Sequence, residues 1–194
     1  MYRMSHMSTR GLFAGWLNEK GLLGTAVEVG THRAEFAAGF RHIWEGRLLL
    51  CVDPWTVPPG YAPQAGLLEH GDGDRRRDMR AARDALLKCA RAWELVRATS
   101  VEAAPMVPDG SADFVYIDGD HRREMVLQDL RLWWPKLRPG GVLAGHDWVQ
   151  PGEVTGWAGE VQSALAEFVA PLGLDVYLIV EEGGLPWSWY VEKK

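Results

Sequence analysis

Five runs of strand length, TAVEVG (25–30), RLLLCVD (47–53), WELVRAT (93–99), ADFVYID (112–118) and GVLAGHD (141–147), are apolar almost from end to end. A strand with one face in water would alternate apolar and polar residues, so these runs describe strands covered on both faces. Such strands lie parallel, and each parallel step needs a crossover, normally a helix. The intervening segments carry helical stripes. Val126, Leu130, Trp133, Trp134 and Leu137 form one, closed by Pro139-Gly140-Gly141; Met79, Ala82, Leu86, Ala90 and Trp93 form another; Val161, Leu165, Phe168 and Val169 form a third. Two last strand patterns, LDVYLIVEE (174–182) and PWSWYVEK (186–193), meet across EGGL, too short for a crossover, and predict an antiparallel hairpin. The expected fold is α/β, a doubly wound, seven-stranded Rossmann-like sheet with a C-terminal antiparallel hairpin.

The 194 residues suit one domain over residues 8–194, able to bury about 70% of the unfolded surface. MYRMSHM (1–7) shows no periodicity and is set aside as a disordered start or an expression remnant. No apolar run approaches the roughly 20 residues that span a bilayer, so no membrane segment is expected. A net charge of −5 argues against a nucleic-acid partner. The arginines 75, 76, 77, 80 and 83 alternate with Asp74, Asp78 and Asp84 and read as a solvated helix face with internal ion pairs. Cys51 and Cys89 have neither CxxC nor histidine spacing and read as buried free thiols. With no signal-like start, this points to the cytoplasm.

In a doubly wound sheet, ligands bind beyond the carboxyl ends of the strands. The first run ends in VEVGTHRAEFA (27–37), where Gly30 permits a tight turn and Glu28 offers a carboxylate to a cationic or hydroxyl-bearing ligand; alone, the stretch reads equally as an ordinary strand-to-helix turn. The pattern GxGxxG is missing, which disfavours a nicotinamide or flavin dinucleotide. Asp53, closing the second run, is placed to accept the hydroxyls of a ribose, or to form a turn before Pro54-Trp55. The fourth and fifth runs end in IDGDH and AGHDW, gathering Asp118, Asp120, His121, His146 and Asp147 if those strands are neighbours. Asp120 and His121 could instead serve a helix start, and His146 the surface. Carboxylates from two loops with open positions suit Mg2+ or a similar divalent ion.

These stretches, with DFVYIDGDHRREMVLQDLRLWWPKLRPGGVLAGHDW and the closing PWSWYVEK, resemble the class I S-adenosylmethionine-dependent methyltransferases, in the bacterial group of cephalosporin-hydroxylase-like and macrolide-sugar O-methyltransferases. The resemblance covers residues 20 to 192 and is most specific over 113 to 148. It implies that Glu28 and Gly30 face the methionine part of the cofactor, Asp53 its ribose and Ser100 its adenine. It also implies that Asp118 binds cofactor and metal, with Asp147 as a further metal ligand; His146 stands where metal-dependent relatives carry another acid or begin an Asp-Asn pair. Ala34 stands where many relatives carry glycine.

His121 lies where catechol O-methyltransferase has its catalytic lysine, and a neutral imidazole there can accept a hydroxyl proton. The expectation is O-methylation of a small molecule, a sugar, phenol or secondary-metabolite hydroxyl, with His121 and Asp118 catalytic and a divalent ion on Asp118, His146 and Asp147. Two rivals stand beside it: a metal-dependent hydrolase built on Asp118, His121, His146 and Asp147, and a non-catalytic cofactor-binding protein. Trp148, Trp157, Trp187, Trp189 and Tyr190 could wall the acceptor, and residues 54–74 could close over it. Exposed hairpin tryptophans would find cover in a second copy of the chain, pointing to a homo-oligomer.

Overall fold

In β2 (Thr25–Val29) every residue is buried, the charged Glu28 included. Neighbouring residues of a strand face opposite sides of the sheet, so the apolar run feeds separate cores. Val27 and Val29 join Val115, Leu130, Trp133 and Leu165 on one side. Ala26 joins Phe13, Leu17, Phe40, Phe114 and Tyr116 on the other. The computed structural model describes residues 1–56, 72–149, 160–180 and 187–194, with the side chains of 72–74 left out.

The remaining strands are β1 (Tyr2–Met4), β3 (Leu48–Asp53), β4 (Trp93–Arg97), β5 (Ala112–Ile117), β6 (Leu137–Trp148), β7 (Val176–Ile179) and β8 (Trp187–Glu192). They form an eight-stranded sheet in the order β1-β7-β8-β6-β5-β2-β3-β4. Pairing is parallel from β4 through β6, while β8 runs antiparallel to both β6 and β7. The expected hairpin pairing is therefore present; its EGGL connection lies outside the described residues. Helices α1 (Phe13–Glu19), α2 (Glu35–Ile43) and α3 (Asp72–Leu86) cover one face, and α4 (Ser100–Ala103), α5 (Arg123–Trp133) and α6 (Glu160–Val169) the other.

Several expectations need correction. Residues 1–7 are part of the fold: β1 pairs with β7 in parallel, Arg3 bonds Asp175 at 2.8 Å, and Met7 is buried. Three residues held at an edge through their backbone carry no periodicity, so the pattern missed the eighth strand. The stripe running to Leu137 is broken earlier. α5 stops at Trp133, Trp134-Pro135-Lys136 make a 3-10 turn, and Leu137 opens β6. Pro139 and Gly140 sit exposed within β6, where a register shift lets the pairing jump from Ala112–Leu137 to Phe114–Val142. Cys51 is buried, whereas Cys89 is half-buried. Trp148, Trp189 and Tyr190 are core residues and Trp187 is half-buried, so the hairpin tryptophans are covered by their own chain and no longer argue for a second copy. Trp157 and most of the expected lid, residues 57–71, lie outside the described residues.

Candidate active site

Because β2, β3, β5 and β6 are parallel neighbours, their carboxyl ends share one edge of the sheet. Glu28, Asp53, Asp118 and Asp147 all reach that edge. The structure gathers them into two groups with opposite electrostatics.

At the ends of β5 and β6, Asp118, His121 and Asp147 each present a ligand-type atom within 4.8 Å of the others. His121 Nε2 lies 2.8 Å from Asp147 Oδ2 and 3.8 Å from Asp118 Oδ1. Asp147 reaches this position through a bulge. The β6–β8 register slips between Gly145 and Trp148, and Asp147 adopts a left-handed φ of 58°. Such a kink re-aims a side chain that regular alternation would send elsewhere, at a cost of about 1–2 kcal/mol for a residue with a Cβ. Burial alone would lower the His121 pKa, but hydrogen bonds and charge from Asp118 and Asp147 override it and push it up to about 10. Burial would likewise raise Asp147, and His121 with His146 instead holds its carboxyl well below the ordinary range. The two carboxylates thus favour the protonated form of His121, where the sequence suggested a neutral imidazole base. From the N-terminal segment Arg10 adds a second cation, its Nη1 3.5 Å from Asp118 Oδ2 and its guanidinium 6.0 Å from the centre of the Phe36 ring.

His146 sits beside this cluster rather than within it, its Nδ1 3.4 Å from Asp147 Oδ2, and His121 takes the place expected for it. Asp120 closes a turn, accepting the Arg122 amide at 3.1 Å and pairing with its guanidinium. Asp120 does not cap α5, whose N-cap is Arg122 without a side-chain bond, and it is not part of the Asp118–His121–Asp147 cluster.

At the ends of β2 and β3 the charges are not balanced. Glu28 is buried between Cys51 and Tyr116 in register, and among the described residues its Oε2 has no hydrogen-bond partner. Burial pushes the Glu28 carboxyl well above its ordinary value, and Asp118 and Asp53 push the same way against the pull of Thr31. Asp53 is half-buried and fixed in one orientation: Oδ2 accepts the His32 amide at 2.9 Å and Oδ1 the Trp55 amide at 2.6 Å. Each of its oxygens retains a lone pair. A buried acid with an unbonded oxygen and an oriented carboxylate at one strand edge suit a cationic, ribose-bearing ligand such as S-adenosylmethionine.

Gly30 and Ser100 each have a structural part as well. Gly30 has φ 91°, and a Cβ there would lie 2.1 Å from the Asp118 carbonyl oxygen, so its missing side chain lets two chain segments meet. The Ser100 hydroxyl accepts the Trp133 indole N–H at 2.7 Å and also engages the buried Asp129, whose carboxyl burial pushes up to about 6. Sequence reading missed Arg10, Asp129 and Asp78. The last was legible: it precedes Ala82 by one helical turn on the stripe that faces the core, and its side chain is fully buried.

A family model described as a methyltransferase domain matches residues 27–148, which contain every strand end discussed above. The chain belongs to the methyltransferase-domain family. The sheet is that of a class I methyltransferase, and solved structures share it. Cofactor-bound Rv0187 from MTB aligns with a TM-score of 0.69 at 17% identity, over 98% of this chain and 82% of that one. An O-methyltransferase from Bacillus cereus in complex with SAH gives 0.69 at 14% identity, over 95% and 80%. TomG, an O-methyltransferase from Streptomyces achromogenes in complex with SAM, gives 0.66 at 13%, over 95% and 80%. Among curated sequences, the uncharacterized protein y4gI of Sinorhizobium fredii is 40% identical over 53 residues, 27% of this chain and 6% of that protein, so the match spans a small fraction of that relative's length. Among the described residues of this methyltransferase, no helix is long and apolar enough to cross a membrane.

Proposed function

We propose that this chain transfers a methyl group from S-adenosylmethionine to the hydroxyl oxygen of a small molecule, with a divalent ion such as Mg2+ held by the carboxylates of Asp118 and Asp147 beside His121. The observation that carries the reading is the convergence of those side chains beside an edge whose other acids, Glu28 and Asp53, suit a cationic nucleoside. A hydrolase would leave Glu28 and Asp53 without work. When bound, the cofactor supplies an electrophilic methyl group and the ion a lowered pKa for a coordinated hydroxyl.

The chain's own residues do the rest. Glu28 and Asp53 hold the donor in place, and alignment of the reacting atoms is worth about 7–11 kcal/mol in such displacements. Asp118 takes the acceptor's proton. His121, protonated and fixed by Asp147, steadies the developing negative charge at that position. Neighbours whose names record SAM, SAH or O-methylation support this reading by fold likeness.

Methyl-labelled S-adenosylmethionine and a panel of sugars, phenols and hydroxylated metabolites would test it. Label should appear in a hydroxyl acceptor, more with Mg2+ than under chelation, and Asp118→Ala should reduce transfer by about 100-fold or more. Full activity of that variant under chelation would refute the role of Asp118 and of the metal together.

A further inference from the structure

Asp78 projects from α3, outside the strand ends, yet its side chain is fully buried. A carboxylate so placed is costly unless paired; the charge of Arg75 on its own helix favours it, and the side chains that contact it among the described residues come from the turn after β2. Arg33 Nε donates to Oδ1 at 2.7 Å and His32 Nε2 lies 3.3 Å from Oδ2. That turn is strained, with left-handed backbone at His32 (φ 49°) and Ala34 (φ 64°), a conformation that persists only where the surroundings impose it. The same turn is laced to the end of β3. The His32 amide donates to Asp53 Oδ2 at 2.9 Å, and the Trp55 indole N–H donates to the His32 carbonyl at 2.8 Å. A continuous path of polar contacts thus runs from α3 to the carboxylate that faces the nucleoside.

We propose that Asp78 is a positioning residue for the cofactor: through His32 and Arg33 it holds the 30–34 turn in its left-handed form, and the turn holds Asp53 in the orientation that meets the ribose hydroxyls. This rests on the reading of the strand edge as a cofactor site. α3 then does more than cover the sheet, and the acid within its arginine run belongs to the binding site instead of a solvated face.

The test is calorimetric titration of the full-length chain with S-adenosylhomocysteine. Asp78→Ala should weaken binding about tenfold or more, Asp78→Glu should recover part of it, and Arg33→Ala, at a largely exposed position, should weaken it by a smaller factor. A purely structural role would lower the melting temperature of these variants and leave the affinity of the folded protein unchanged. Amide exchange gives a second readout: the His32 N–H should lose protection in Asp78→Ala ahead of the neighbouring strands. If Asp78→Ala folds poorly, Arg33→Ala alone decides. Wild-type affinity in the folded variants would overturn the proposal and leave the cofactor reading intact; no binding by the wild-type chain would overturn both.

Discussion

The strand edge divides into halves that treat their acids differently. At β5 and β6, Asp118 and Asp147 are matched by His121 and Arg10, so the cluster is neutralised from within the chain. At β2 and β3, Glu28 is buried with one oxygen that no described residue bonds, and burial pushes its carboxyl towards the neutral form. The first half is stable on its own and must be opened by whatever it binds. The second half would be completed by what the proposed function has it bind. On the proposed reading, a donor carrying positive charge and ribose hydroxyls would occupy the second, and a proton or a divalent ion the first.

Substitutions can break this contrast. The largest effect is expected at His121, because His121→Ala strands the buried Asp147 carboxylate. Stability should fall by about 3 kcal/mol or more, roughly 6–12 °C in melting temperature for a chain of this size, while S-adenosylhomocysteine affinity stays close to wild type. Glu28→Gln should do the reverse. Melting temperature should hold or rise, since an unpartnered buried acid is replaced by a neutral amide, and S-adenosylhomocysteine affinity should drop about tenfold.

The pH dependence sharpens the same point. His121 rises from 6.5 to about 10 on folding and Asp147 falls below 3.8, so their mutual stabilisation is full between about pH 4 and 6.5. It should erode as pH climbs from 6.5 towards 10, and again as pH falls through the carboxylate range. Urea denaturation of wild type and His121→Gln across pH 4–10 should show their difference shrinking on the alkaline side; a constant difference would mean that His121 is neutral in the folded chain. The smallest effect belongs to Arg10, which is partly exposed. Arg10→Ala should tighten Mg2+ binding by a factor of a few by uncovering Asp118, without altering S-adenosylhomocysteine affinity.

Most of the sheet was legible because parallel strands covered on both faces leave unbroken apolar runs, and those runs fix where the carboxyl ends lie. Glu28, Asp53, Asp118 and Asp147 followed from that placement alone. What was not legible depends on geometry that periodicity does not carry. The bulge that turns Asp147 towards His121 adds a residue without changing the residue types, so nothing in the pattern set His121 ahead of His146 as the third member of the cluster. The protonation of His121 follows from acids on two different loops at 2.8 and 3.8 Å. Asp78 was read with its arginine neighbours as surface, although its spacing to Ala82 already set it facing inward. β1 escaped notice because an edge strand of three residues is held by backbone pairing and needs no pattern.

The central claim, that the β2–β3 half holds the cofactor and the β5–β6 half does not need to be intact for it to bind, is most directly tested by titrating S-adenosylhomocysteine into wild type, Asp53→Asn and His121→Gln in the presence of chelator. The account predicts binding by wild type, loss of about tenfold or more in Asp53→Asn, and an affinity within about twofold of wild type in His121→Gln. Undiminished binding by Asp53→Asn together with loss in His121→Gln would contradict it.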